Sequence, residues 1–230
     1  MQDKKPLAVF DVDGTIFRSS LFIQLVERLI SRKELPVEIR DAYAEEHLAW
    51  LNREGSYDMY IRRMVEVFHE HIKGLHYGTF ADIAREVVSE QSKRIYVYPR
   101  DLIRELKDKG YFLLAVSHSP KTILDLFCPT LGFDKVYGMV YDIGPEDRFT
   151  GDIVDRHLIL NKANIVKRVV DKGEATLAGS VGVGDTESDI SFLELVEKPI
   201  CFNPNSMLYR HAKLNGWQVV VERKDVVYEL

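Results

Sequence analysis

Cysteine is scarce in this chain. Its two copies, Cys128 in "LFCPT" and Cys201 in "PICFN", sit in apolar surroundings, which excludes a disulfide framework and leaves two small buried hydrophobes. Basic residues are not in excess either. The 31 Lys and Arg face 36 Asp and Glu for a net charge of −5, and no basic run is interleaved with aromatics, so a nucleic-acid groove is not expected. No stretch approaches the ~18 apolar residues of a membrane span. The few apolar residues that follow Met1-Gln2-Asp3-Lys4-Lys5 and precede Asp11 are too short for a signal-peptide core. Repeats and low-complexity tracts are missing. These absences leave a soluble, cytoplasmic globular protein as the expectation, with no nucleic-acid or membrane partner. The 230 residues, 46% of them hydrophobic, suit one large domain or one domain carrying an insertion.

Three short apolar runs are present: "LAVF" before Asp11, "FLLAV" before Ser117 and "AGSVGVG" before Asp185. Continuous apolar runs closed by polar or glycine-rich turns predict strands buried on both faces, as in a parallel sheet covered by helices. Residues 99–110 open on Pro and close on Gly, and residues 160–173 close on Gly with Lys172 in the last turn, so both predict helices. Beyond Asp185 the pattern predicts a helix around 190–195, a strand in "KPICFN", a helix near 207–214 and a strand in "WQVVVE". The alternation predicts an α/β fold with a doubly wound parallel sheet, a Rossmann-like core.

Two intervals break this rhythm. Leu21, Phe22, Leu25, Val26, Leu29 and Ile30 form one apolar stripe at helical period, and Tyr60, Met64, Val67, Phe68, His71 and Ile72 form another. Nearly ninety residues separate the first strand from Pro99, far more than a crossover needs. The expected organisation is therefore an α/β core of residues 1–19 and 97–230 with an inserted helical subdomain at 20–96. Held by two connections, near Phe17 to Ser20 and Tyr96 to Pro99, that insertion is expected to open and close. The second interval, 134–155, predicts a small β-hairpin turning at Gly144 and Pro145 and hanging off the sheet as a side feature.

Ligands of open parallel sheets bind at the carboxyl ends of the strands, where Asp11, Asp13, Ser117, Asp185 and Asp189 all fall. Clustered carboxylates repel one another unless a cation sits among them, and hard oxygen ligands beside a phosphate suit Mg²⁺. Asp11 and Asp13 are two apart, a pair able to divide labour between attack and proton transfer. By itself "DVDG" equally describes a tight turn. "VGVGDTESDIS" places Asp189 one helical turn after Asp185 and lacks the third glycine of a dinucleotide fingerprint. Ser117 ends a strand where its hydroxyl and the following N–H groups can hold phosphate. Lys162 opens a helix from which it can neutralise phosphoryl charge.

The set Asp11-x-Asp13-Gly14-Thr15, Ser117, Lys162 and Gly184-Asp185-x-x-x-Asp189 resembles the haloacid dehalogenase superfamily of phosphatases, in order and spacing, over nearly the whole chain. The insertion after the first motif is similar to that superfamily's first cap type. "TGDIVD" and "CFNPNSMLYRHAKLNGW" are similar to its phosphoserine-phosphatase-like branch. The resemblance implies an aspartyl-phosphate mechanism on a small phosphorylated metabolite. Asp11 would be the nucleophile and Asp13 the acid and base. Asp11, the backbone carbonyl of Asp13 and Asp185 would hold Mg²⁺. Asp189 would orient the metal's water or the lysine, and Ser117 and Lys162 would grip phosphate, with Lys167 the alternative lysine. Thr15 belongs to the first motif and is placed with the substrate side.

Other residues carry two readings each. His118 either touches substrate or fills the turn. Ser20 either lines the pocket or caps a helix, and Arg62 or Arg63 either reaches a substrate anion or serves solubility. His69, His71 and His76 lack the spacing of a zinc helix. Ser20 stands where phosphoserine phosphatases carry a cap glutamate, and His118 and Ser119 replace their two glycines. L-phosphoserine is therefore expected to be a poor substrate, unless Glu27 supplies the missing charge. A phosphotransferase would use the same intermediate, and a non-catalytic phosphate-binding module is the rival from another class. A dehalogenase would need neither the metal carboxylates nor the acid.

Overall fold

The first strand, β1 (Pro6–Phe10), is buried from Leu7 onward and forms the middle of an eight-stranded sheet. The computed structural model describes residues 4–230; the Met1-Gln2-Asp3 start weighed above lies outside them. After β1 the chain runs through α1 (Leu21–Ser31), a 3-10 turn at Val37–Tyr43, α2 (Ala44–Leu51), α3 (Tyr57–His71), α4 (Tyr77–Gln91) and α5 (Val97–Asp108). It re-enters the sheet as β2 (Phe112–Pro120), then continues through α6 (Lys121–Phe127), β3 (Lys135–Ile143) and β4 (Phe149–Val154). The short α7 (Arg156–Ile159) and α8 (Lys162–Asp171) lead into β5 (Thr176–Gly184) and α9 (Ile190–Leu193). The chain closes with β6 (Lys198–Phe202), α10 (Ser206–Asn215), β7 (Gln218–Arg223) and β8 (Val226–Glu229).

The sheet order is β4-β3-β2-β1-β5-β6-β7-β8, with β1, β2, β3, β5, β6 and β7 parallel and β4 and β8 antiparallel at the edges. This is the α/β doubly wound sheet that the sequence predicts. Strands are added on one side of β1 through β3 and on the other from β5, so the order reverses beside β1. In open α/β sheets ligands bind at such a reversal, outside the carboxyl ends of the strands, here those of β1, β2 and β5.

The helical stripes are buried as their periodicity requires, except that His71, counted in the second stripe, is exposed at the end of α3. α1 buries Leu21, Phe22, Leu25, Val26, Leu29 and Ile30, and α3 buries Tyr60, Met64, Val67 and Phe68. The connections on either side of this helical layer are hydrogen-bonded to each other: Arg18 N–H donates to Arg94 O at 2.8 Å and Tyr96 N–H to Ile16 O at 3.0 Å.

Two expectations need correction. The hairpin is no side feature. Val136 and Tyr137 pair in parallel with Ala115 and Val116 of β2, and the far half of the same strand then pairs with β4. β3 is nine residues long, enough to serve the sheet and the hairpin in turn. Nor do two connections alone hold the helical layer. Gly74 N–H donates to Phe149 O at 2.8 Å and Phe149 N–H to Leu75 O at 3.0 Å, which joins the α3–α4 loop to β4. Phe149 packs edge-on against Phe80, and Phe68 against Tyr141. These contacts oppose a free hinge: any opening must carry the hairpin along or break them.

Candidate active site

The loop after β1 is set by Gly14. Its φ of +83° lies in the left-handed region, and a Cβ on it would run into Asp185 Oδ2. The glycine therefore lets the Asp11–Thr15 loop press against the end of β5. Replacing Gly14 with Ala is expected to push Asp185 away and lower turnover at least tenfold, with a lower melting temperature; steady-state kinetics and a thermal melt check both.

The centre of the site is a buried lysine between two carboxylates. Asn161 caps α8 by accepting from Ala163 N–H, which makes Lys162 the first helical residue. A cation is disfavoured at a helix N-terminus, so local propensity does not explain it. Its partners do. Lys162 Nζ donates to Asp11 Oδ1 at 2.5 Å and to Asp189 Oδ1 at 2.6 Å, with the lysine 2% exposed. Asp189 Oδ2 accepts from the backbone N–H of Asp185 (3.0 Å) and Thr186 (3.1 Å), so this carboxylate is fully engaged and braces the turn after β5. Lys167, the alternative lysine, is exposed on α8.

Asp13 is held differently. Its Oδ1 accepts from Leu21 N–H at 2.5 Å, and its Oδ2 accepts from the hydroxyls of Ser117 at 2.6 Å and Ser119 at 2.7 Å. Ser119 N–H in turn donates to Ser117 Oγ at 2.9 Å. From sequence Ser119 is marked only as the replacement of a glycine and not as a partner of Asp13, although the period of a strand sends residues 117 and 119 to the same side. Because a hydroxyl both donates and accepts, this pair can accommodate Asp13 with or without a proton.

The carboxylates outnumber the cation. Asp11, Asp185 and Asp189 each bring an oxygen within 4.8 Å of the others. Burial first, and then the charges of Asp189 and Asp13, push the Asp11 carboxyl up to about 7 despite Lys162. Asp185 is held well above the usual range by burial and by the charges of Asp11 and Asp189, which Lys162 and the Thr15 hydroxyl (3.3 Å) only partly oppose. Burial alone would lower the lysine's pKa, but Asp11 and Asp189 outweigh it and push it up. Such a set has the donor chemistry of a divalent-cation site and a deficit of positive charge.

Tyr57, at the start of α3, is a further neighbour that sequence patterns did not mark. Its phenol is pushed up by burial and then by the charges of Asp13, Asp185 and Asp11. It packs against Trp50 at 5.2 Å.

Other expected residues lie elsewhere. Ser20 is the N-cap of α1, accepting from Ile23 N–H. Arg62 pairs with Asp58 on its own helix and its side chain is 72% exposed; Arg63 donates to Ala42 O and pairs with Glu66. Neither is drawn into the cluster. Glu27 is engaged by Arg40 and by the Tyr43 hydroxyl. His69 meets Tyr141, His71 meets Val67 O, and His76 caps α4. His118 turns from the serines to Ile159 O.

Residues 8–194 match the family model described as haloacid dehalogenase-like hydrolase. A histidinol-phosphatase of Neisseria meningitidis is 22% identical over 228 residues, covering 94% of this chain and 98% of that protein. A phosphoserine phosphatase of Mycobacterium tuberculosis is 25% identical over 224 residues, covering 94% of this chain and 71% of its own. A solved structure of a phospho-aspartyl intermediate analogue of phosphoserine phosphatase superposes with a TM-score of 0.62 at 21% identity, covering 97% and 96% of the two chains, a likeness of fold.

Proposed function

The chain belongs to the haloacid dehalogenase-like hydrolase family, and from that premise we propose that it is a Mg²⁺-dependent phosphatase for a small phosphomonoester, working through an aspartyl-phosphate. The observation that carries this reading is Asp11, a buried carboxylate gripped by Lys162 and standing two residues from a second carboxylate held by hydroxyls. Asp11 attacks phosphorus as the bond to the leaving alcohol breaks, and Asp13 gives that oxygen its proton. Asp13 then takes a proton from water as the water attacks the phosphoryl group on Asp11. Ser117 and Lys162 hold the non-bridging oxygens, while the helices of 20–96 act as a cap that excludes bulk water. Ser117 Oγ donates to Asp13 Oδ2, so the hydroxyl assigned to phosphate also bridges to the acid and base.

The donor set fits a hard divalent cation: Asp11 and Asp185 bring oxygens from carboxylates whose protonation is otherwise favoured, and Asp189 is already engaged by Lys162 and two N–H groups. Asp11, Asp185 and the backbone carbonyl of Asp13 would hold it. When bound, Mg²⁺ neutralises charge on the nucleophile and on the phosphoryl oxygens.

The test is phosphate release from an aryl phosphate and from a panel of phosphorylated metabolites, with Mg²⁺, with EDTA, and with Ca²⁺, whose looser coordination is expected to support activity poorly. Release that survives exhaustive chelation contradicts the metal requirement. Transfer to an added alcohol in preference to water would make the protein a phosphotransferase. Within the panel, L-phosphoserine is expected to rank low, because Ser20 is spent as a helix cap and Glu27 is neutralised by Arg40. Phosphoserine ranking first by tenfold or more would overturn that expectation.

A pH dependence follows from the charge deficit. Without metal, the folded chain keeps a proton on Asp11 up to about pH 7, where the unfolded chain has already released it above 3.8. The folded state then binds more protons than the unfolded state, so stability falls as pH rises across that window. Thermal melts at about pH 5 and pH 8 should show this decline in EDTA, and a shallower one in saturating Mg²⁺. Equal slopes in the two conditions would count against the cation relieving the cluster.

A further inference from the structure

Near its end β2 carries Ser117-His118-Ser119, followed by Pro120, and strand alternation turns the middle side chain away from its neighbours. The serines face Asp13. The imidazole reaches the other way, where its Nε2 lies 3.0 Å from the carbonyl oxygen of Ile159. A carbonyl only accepts, so Nε2 carries the proton and Nδ1 presents a lone pair. The imidazole is thus engaged by Ile159, the turn-filling alternative of the two weighed from sequence. Burial, and then the Lys162 charge, push the ring's pKa down to about 4, which keeps it neutral.

Ile159 is buried at 4%, closes α7, and is separated from Lys162 only by Leu160 and Asn161. Leu160 is 60% exposed, so burial of its side chain does not anchor this link. Asn161 spends its side chain on capping α8. Among the described residues, the His118 bond is the hydrogen bond that joins β2 to the α7 turn.

We propose that His118 is a positioning residue: by holding the Ile159 carbonyl, it fixes the start of α8 where Lys162 spans Asp11 and Asp189. A shift of about 1 Å in a charged group can cost on the order of a hundredfold in rate. A neutral donor suits the task, since a second cation there would oppose the lysine. The catalytic part of this inference rests on the phosphatase reading.

Two variants test it. His118→Leu removes the donor, whereas His118→Gln keeps an N–H that can reach the carbonyl. In the Mg²⁺-dependent aryl phosphatase assay, the Leu variant is expected to lose about ten- to a hundredfold in kcat, with a smaller change in KM. Its inhibition constant for orthovanadate should rise in parallel, and the Gln variant should recover most of both. Amide hydrogen exchange over residues 158–166, read without any turnover, should quicken in the Leu variant and return in the Gln variant. Unchanged exchange in the Leu variant, or activity within twofold of wild type, overturns the proposal. Equal loss in both variants does so too. If the wild type releases no phosphate from any ester, the phosphatase reading fails, and the exchange measurement still decides whether His118 positions α8.

Discussion

Asp11→Asn is expected to abolish turnover, by about four orders of magnitude or more, while raising the melting temperature of the metal-free protein. The loss of rate follows from chemistry: an amide has no anionic oxygen to attack phosphorus. The gain in stability follows from the charge count. Lys162 has two buried carboxylate partners, and Asp185 stands close by, so Asp11 is more easily protonated than ionised below about pH 7. Removing its charge relieves repulsion, and the lysine keeps Asp189 at 2.6 Å. Saturating Mg²⁺ should reverse the sign by stabilising the wild type alone. Circular dichroism, melts with and without the metal, and single-turnover phosphate release measure all three. Activity near normal in a folded variant would remove Asp11 as nucleophile.

Lys162→Met is expected to be just as inactive, but with the opposite effect on stability. It leaves Asp11 and the fully buried Asp189 without their cation, and breaking a buried pair by removing one partner typically costs about 3–5 kcal/mol. The double variant Lys162→Met/Asp189→Asn should regain much of that stability, because an Asn oxygen can still accept from the N–H groups of Asp185 and Thr186. It should regain no activity. Denaturant unfolding of the two single variants and the double variant gives the coupling. A Lys162→Met protein as stable as wild type would show that the ion pair does not hold the site together.

The opposite stability signs of these two variants depend on a count of buried charges around one lysine, which the sequence does not contain. It does contain the types and the spacing. Strand ends before Asp11 and Asp185 were legible because apolar runs stop abruptly at polar or glycine-rich turns, whereas β2 runs on through Ser117 to Pro120 because its polar residues still alternate in extended backbone. Asp185 and Asp189 were legible as a pair one helical turn apart. α1 and α3 were legible from their stripes, because burying one face of a helix imposes a period that survives in the residues themselves. Lys162 stood out from Lys167 by its position at the head of a helix, and it is the one buried against Asp11.

What remained illegible depends on contacts between segments far apart in the chain. Ser119 meets Asp13 across 106 positions, so nothing in its neighbourhood announces the bond. Arg62 was expected to face either substrate or solvent, and the choice was made by Asp58 one turn away on the same exposed face. The hairpin's docking against Phe68 and Phe80 could not be read from its own alternation, which fixes which residues share a face but not what that face meets. By itself the sequence determined the order of elements, the strand ends and the acidic, basic and hydroxyl residues gathered there, because local sterics and hydrophobic period act over a few residues. Only the tertiary structure decided which hydroxyls hold Asp13, which way His118 turns and how many carboxylates one lysine must balance. Those outcomes are set by close packing and by electrostatics in a low-dielectric interior, where distance through space outweighs distance along the chain.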